Sequence, residues 1–269
     1  MGKQVVVGVD GSSSCQAAVE AAAREAQWRG ARLRVVHAFS WPARPRYTHT
    51  DTAPLDDLTH DAADHARTVA PDVEVTEAVV TGSAVSVLSA ESQTADLVVV
   101  GARGSGGIVG MLPGSTAVSL AAHTQCPVMV VHGEPTDTGR VVLAVDGSPM
   151  GERAVTFAFA EAALRKAPIL AVHAWLPDYA PAGTGVESVE RLLAQALAGH
   201  TEKYPDVVVS QQVLSGEPRE TLIEASKNAQ LMVVGARGRG GFAGLLLGSV
   251  SQAVLHHAHC PVTVVRSEA

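Results

Sequence analysis

Lysine is scarce in this chain: Lys3, Lys166, Lys203 and Lys227 are all it has. None lies in a glycine-rich stretch. That excludes a Walker-type phosphate loop, whose Gly-Lys-[Ser/Thr] sets an amine on the phosphates. Cysteine is scarce too. Cys15, Cys126 and Cys260, three in 269 residues, are an odd and scattered set that makes no disulfide framework and suits a reducing compartment. A basic run is missing, and 20 Lys plus Arg against 27 Asp plus Glu leave a formal charge of −7. Neither nucleic-acid backbones nor anionic membrane surfaces are expected partners. Long apolar runs are missing as well. Residues 104–133 carry no Asp, Glu, Lys or Arg, but Gly106, Gly107, Gly110, Pro113, Gly114, Thr124, Gln125 and Pro127 break them up, so no membrane span is expected. The opening MGKQVVVGVDGSSS has a strand-length apolar run and no small-residue cleavage site. The location it implies is cytoplasmic.

What is present is a duplication. VVVGVDGS at 5–12 returns as VLAVDGS at 142–148, and VVHAF at 35–39 returns as AVHAW at 171–175, both 136 residues on. LVVVGARGSGG at 97–107 returns as LMVVGARGRGG at 231–241, and CPVMVV at 126–131 as CPVTVV at 260–265, both 134 residues on. A period this long means two domains, which the length also favours at about 150 residues per domain. The expected division is domain 1 at residues 1–133, a linker at 134–139 with Pro135, Thr136, Asp137 and Gly139, and domain 2 at 140–269.

In the first copy, short apolar runs at Val5–Val9, Leu33–Ala38, Val73–Val80, Leu97–Val100 and Val128–Val131 read as strands. Gln16, Glu20, Arg24 and Gln27 form one polar stripe on an otherwise small-residue helix that Ser12 or Ser13 is placed to cap. Further helices are expected near 56–69, 83–92 and 115–124, and Pro218 marks a helix start in the second copy. The fold class is therefore α/β: two tandem open five-stranded parallel sheets with helices on both faces. Ligands of such sheets bind outside the carboxyl ends of the strands, where Asp10, Ala38 and Gly101 fall.

The strongest chemical signal is GARGSGGIVGMLPGS at 101–115 and GARGRGGFAGLLLGS at 235–249, both Gly-x2-Gly-x9-Gly-Ser. Strand-to-helix connections usually take about 2–6 residues, so this excursion invites a ligand. Ser115 and Ser249 open a helix whose free N–H groups favour a phosphate. Arg103 and Arg237 add charge, with Arg239 in the second copy alone. Glycine at 104 and 238 is expected to let backbone amides face the phosphates, where a methyl would block close approach and strain any backbone with positive φ. Gly238, Gly240 and Ala243 formally spell a dinucleotide fingerprint, but after the fourth strand of their unit, not the first.

These motifs together resemble the universal stress protein family, in its nucleotide-binding branch, over nearly the whole chain. The resemblance implies an adenine-nucleotide alpha-hydrolase-like fold and ATP as ligand, with or without Mg2+. It implies that Asp10 and the Ala38 backbone contact adenine, that Gly101 lies near the ribose, and that Gly104, Gly114, Ser115 and Thr116 lie near the phosphates. Asp146, Ala174, Gly235, Gly238, Gly248, Ser249 and Val250 would take these roles in the second copy, and Ala144 in place of Gly8 would crowd that pocket. The expected function is a nucleotide sensor in stress response or growth regulation and not an enzyme; the alternative is a slow ATPase or cyclic-AMP-binding protein. The expected partners are the adenine nucleotide, an unidentified downstream protein, and either a second copy in a homodimer or the chain's own second domain, met through the final strands as an intramolecular pseudo-dimer.

Blander readings stand beside these. Asp10 before Gly11 also spells a turn, His37 and His173 suit a structural role, and Cys126 and Cys260 read as buried and inert. Trp41 and Trp175 suit either packing or a cover for adenine, and His256, His257, His259 and Cys260 are not expected to bind metal.

Overall fold

A computed structural model describes residues 3–12, 14–40, 53–104, 114–134, 136–176, 185–238 and 246–267. Trp41 and most of both glycine-rich excursions lie outside these. The chain divides into two compact units, Met1–Glu134 and Pro135–Ala269.

Unit 1 runs β1 (Gln4–Val9), α1 (Cys15–Arg29), β2 (Arg32–Phe39), α2 (Ala53–Val69), β3 (Val75–Thr81), α3 (Ala84–Glu91), β4 (Leu97–Gly101), α4 (Ser115–His123) and β5 (Val128–Val131). Unit 2 repeats the plan with β6 (Arg140–Ala144), α5 (Glu152–Arg165), β7 (Ile169–Trp175), α6 (Val186–Leu197), α7 (His200–Lys203), β8 (Val209–Ser215), α8 (Pro218–Ala225), β9 (Ala229–Gly235), α9 (Ser249–His257) and β10 (Val262–Val265). All pairing within each unit is parallel. β1 lies between β2 and β4, with β3 beyond β2 and β5 beyond β4. In unit 2, β6 lies between β7 and β9, with β8 and β10 outside them. The chain thus goes one way from the central strand and then the other, which opens a crevice at that strand's carboxyl end.

Branched apolar residues build these strands because both faces are covered. Val5, Val6, Val7, Leu97, Val98 and Val99 are all fully buried. β3 is half exposed, and it starts at Val75 instead of Val73 because the Val73 N–H closes a turn onto the Ala70 carbonyl at 3.1 Å. The small-residue face of α1 (Ala18, Ala22, Ala23 and Ala26) is buried, as close packing on a sheet requires. Its cap differs from the expectation. Ser14 holds the N-cap position without a side-chain capping bond, the Ser12 hydroxyl donates instead to the Arg103 carbonyl, and Ser13 lies outside the described residues. Pro218 does begin α8, capped by the Glu217 carboxylate.

One turn differs instructively between the copies. α1 ends at Gly30 with φ 57°, whereas α5 ends at Lys166 with φ 52°, a left-handed backbone at a residue with a Cβ. The segment before β6 is tied into unit 2, since the Gln230 side-chain amide donates to the Gly139 carbonyl at 2.8 Å.

Candidate functional site

Each central strand ends in a Val-Asp-Gly-Ser turn, and this turn roots the candidate site. Asp10 Oδ1 accepts from the Ser12 N–H at 3.0 Å. Asp146 Oδ1 accepts from both the N–H (2.9 Å) and the hydroxyl (2.8 Å) of Ser148. The turn reading of Asp10 is thus satisfied, yet it uses one carboxylate oxygen. The other faces the start of the glycine-rich segment. A Cβ built on Gly104 would stand 3.1 Å from Asp10 Oδ2, and one on Gly238 would stand 2.6 Å from Asp146 Oδ2.

Neither glycine has positive φ, and the neighbouring carboxylate leaves little room for a side chain at Gly104 and less at Gly238. Gly101 differs as well, because its open side is filled by Ser14, whose Oγ would be 2.6 Å from an added Cβ. It lets α1 approach β4 closely. The Ser14 hydroxyl joins Ser12 in donating to the Arg103 carbonyl, and the Arg103 side chain is exposed.

The histidines settle as structural anchors. His37 Nδ1 lies 2.8 Å from the Val9 carbonyl, and His173 Nδ1 lies 2.7 Å from the Val145 carbonyl. A carbonyl can only accept, so Nδ1 carries the proton in both rings. Each ring clamps the peptide just before the aspartate and fixes where the carboxylate starts.

After the excursion the chain returns to the same place. The Gly114 N–H donates to the Ala102 carbonyl at 3.0 Å, and the Gly248 N–H to the Ala236 carbonyl at 2.7 Å. Gly114 and Gly248 are the N-caps, and Ser115 and Ser249 the first residues, of α4 and α9; neither helix has a side-chain cap. The N–H groups of Ser115 and Thr116, and of Ser249 and Val250, therefore open their helices with no acceptor inside them.

In unit 2 these pieces enclose a cleft of about 490 Å³. Ala144, Asp146, Ala174, Gly235, Arg237, Gly238, Gly248, Ser249 and Val250 all line it, so every second-copy candidate converges there. Val172, Leu222 and Val234 add an apolar wall, and volume and lining suit a small organic ligand. The Ala144 methyl forms part of that wall; in unit 1 an added methyl at Gly8 would stand 2.7 Å from a Leu88 methyl, so Leu88 takes that space. In unit 1 the structure brings Asp10, Gly104 and Gly114 together at the carboxyl end of β1, with Ser115 and Thr116 opening α4; Ala38 lies in β2, paired with Val80.

Sequence reasoning missed Gly151, Arg219, Leu247 and Ser251 in the lining. Arg219 had a legible signal, because Pro218 already placed it at a helix start on this edge of the sheet. Among the described residues no group of three His, Cys, Asp or Glu side chains converges as for a metal ion. No helix among them is long and apolar enough to cross a membrane. Burial pushes the Cys126 and Cys260 thiols up to about 12, in keeping with inert core cysteines.

The sequence profile described as the universal stress protein family matches residues 1–132 and again 138–266. A universal stress protein of Mycolicibacterium smegmatis is 40% identical over 284 residues, covering 97% of this chain and 96% of that protein. Universal stress protein Rv2623 of Mycobacterium tuberculosis is 36% identical with the same coverage. A crystal structure of a universal stress protein from Archaeoglobus fulgidus, 17% identical, superposes over 98% of this chain and 96% of its own with a TM-score of 0.69, a likeness of fold. With both copies matched and whole-length relatives at this identity, the chain belongs to the universal stress protein family and carries its domain twice in tandem.

Proposed function

We propose that each unit binds an adenine nucleotide, ATP foremost, at the carboxyl end of its central strand, and that the chain serves as a nucleotide-responsive regulator in stress adaptation or growth control. The observation that carries this reading is the unit 2 cleft, which gathers all nine second-copy candidates in about 490 Å³. Its apolar wall suits a base, while the opening N–H groups of α9 and the Arg237 guanidinium suit phosphates. Mg2+ would enter with the phosphates.

A sensing role fits the cleft better than turnover. Its described titratable groups are Asp146, His173, Arg219 and Arg237. Asp146 Oδ1 is held by the Ser148 N–H and hydroxyl, and His173 Nδ1 by the Val145 carbonyl, so both groups already serve the local turn.

Freshly purified chain should release ATP on denaturation, identified by mass. It should also retain added ATP through desalting without producing ADP over hours. Release of cyclic AMP in its place, or rapid hydrolysis, would replace this reading with the corresponding alternative. No retention of any nucleotide would reduce the glycine-rich segments to long turns.

A further inference from the structure

The unit 2 cleft carries a cation at the end away from its proposed phosphate groups, and unit 1 has an apolar residue at the matched position. β6, which ends at the cleft, lies between β7 and β9. Arg237 directly follows β9, and the start of α9 is tied there by the Gly248 N–H on the Ala236 carbonyl. α8 starts on the opposite side. The Gly216 N–H donates to the Trp175 carbonyl at 3.0 Å, which fixes the approach to α8 at the end of β7. Its first turn brings Pro218 and Arg219 into the lining, on the Ala174 side, with Leu222 one turn on.

The matched residues in unit 1 are Val85 for Arg219 and Leu88 for Leu222. Leu88 borders Gly8 just as Leu222 lines the cleft with Ala144, so both helices turn the same face to their central strands. Arg219 is half exposed, and its Nε stands 3.8 Å from the Glu217 carboxylate, beyond hydrogen-bond length. Asp146 and His173 recur as Asp10 and His37 and do not tell the units apart.

An arginine only donates, through a planar fork of N–H groups. Guanine meets such a fork with two neighbouring acceptors, O6 and N7, whereas adenine sets its N6 amine, a donor, beside N7. The Asp146 carboxylate only accepts, and it suits the N6 amine of adenine as well as the N1–H and N2 amine of guanine. The choice of base therefore falls to Arg219. A valine in its place leaves the guanine O6 without a partner, which penalises that base.

Resting on the nucleotide reading above, we propose that unit 2 admits guanine nucleotides beside adenine nucleotides, with Arg219 reading the 6-oxopurine edge, while unit 1 admits adenine nucleotides alone.

Calorimetric titration of the full chain with GTP and with ATP tests this. GTP should fill one site per chain where ATP fills two. Arg219→Val should weaken GTP binding roughly ten- to a hundredfold, the worth of one bidentate base contact, while ATP affinity holds and certifies the fold. Arg219→Lys keeps the charge without the fork and should recover less than about threefold of that loss. Val85→Arg should add a second GTP site. A GTP stoichiometry of none or two in the unaltered chain, an equal loss of both ligands in Arg219→Val, or full recovery in Arg219→Lys overturns the base selection and leaves the nucleotide site standing. Failure of the unaltered chain to bind either ligand overturns the nucleotide reading itself.

Discussion

Gly238→Ala should destabilise unit 2 through Asp146, and the size of the effect follows from the packing. An added Cβ stands 2.6 Å from Asp146 Oδ2, whereas ordinary contact begins at 3.4 Å. The carboxylate must therefore retreat by about 0.8 Å, which is the slack between a short hydrogen bond and a broken one. Its other oxygen holds the Ser148 N–H at 2.9 Å and hydroxyl at 2.8 Å. Losing one such charge-assisted bond costs about 1.5–3 kcal/mol, so about 2 kcal/mol is expected. Gly104→Ala, starting from 3.1 Å, asks a smaller retreat and should cost less than about 1 kcal/mol. The decisive measurement is a double-mutant cycle with Asp146→Ala, by urea denaturation followed through Trp175 after Trp28 and Trp41 are replaced with Phe. With the carboxylate gone, Gly238→Ala should cost almost nothing, a coupling of about 2 kcal/mol. Equal cost in both backgrounds would refute the steric argument. Unchanged stability with lost ATP retention would return the glycine to the role read from sequence, close approach of a phosphate.

Two further outcomes follow from local geometry. Lys166→Gly should stabilise unit 2 by about 1 kcal/mol, because a left-handed residue with a Cβ costs about 1–2 kcal/mol and glycine's extra chain entropy returns less than that; no shift in the denaturation midpoint would contradict it. The raised thiols of Cys126 and Cys260 make stability fall with pH. Below the ordinary thiol value of 9.0 both states keep their protons, and between there and about 12 the unfolded chain sheds protons that the fold retains. The slope should be about −1.4 kcal/mol per pH unit for each thiol, flattened in a Cys126→Ala, Cys260→Ala chain.

The strands were legible because buried parallel strands must be continuous apolar runs, and the run at Val128–Val131 gives β5 residue for residue. The overreach at Val73 came from an apolar residue used in a turn, which no periodicity distinguishes from a strand start. The candidate site was legible as a set of positions, since duplication marks Asp146, Gly238 and Ser249 by their partners Asp10, Gly104 and Ser115. Why each residue is there was less so. That Gly104 makes room for Asp10, and that Gly101 makes room for Ser14, are contacts between segments about ninety residues apart. Composition and spacing carry no trace of them.

Carrying both sites on one chain changes what mutation can reach. When a single-domain protein pairs with its own copy, every substitution appears twice, and a change that suits one site is imposed on the other. Here Gly8 is matched by Ala144, Cys15 by Gly151, Val85 by Arg219 and His132 by Arg266, each altered alone. The two halves are nevertheless made in strict one-to-one proportion, however much of the chain is present. Such an arrangement keeps two non-identical domains in fixed ratio, which two separately expressed proteins cannot guarantee.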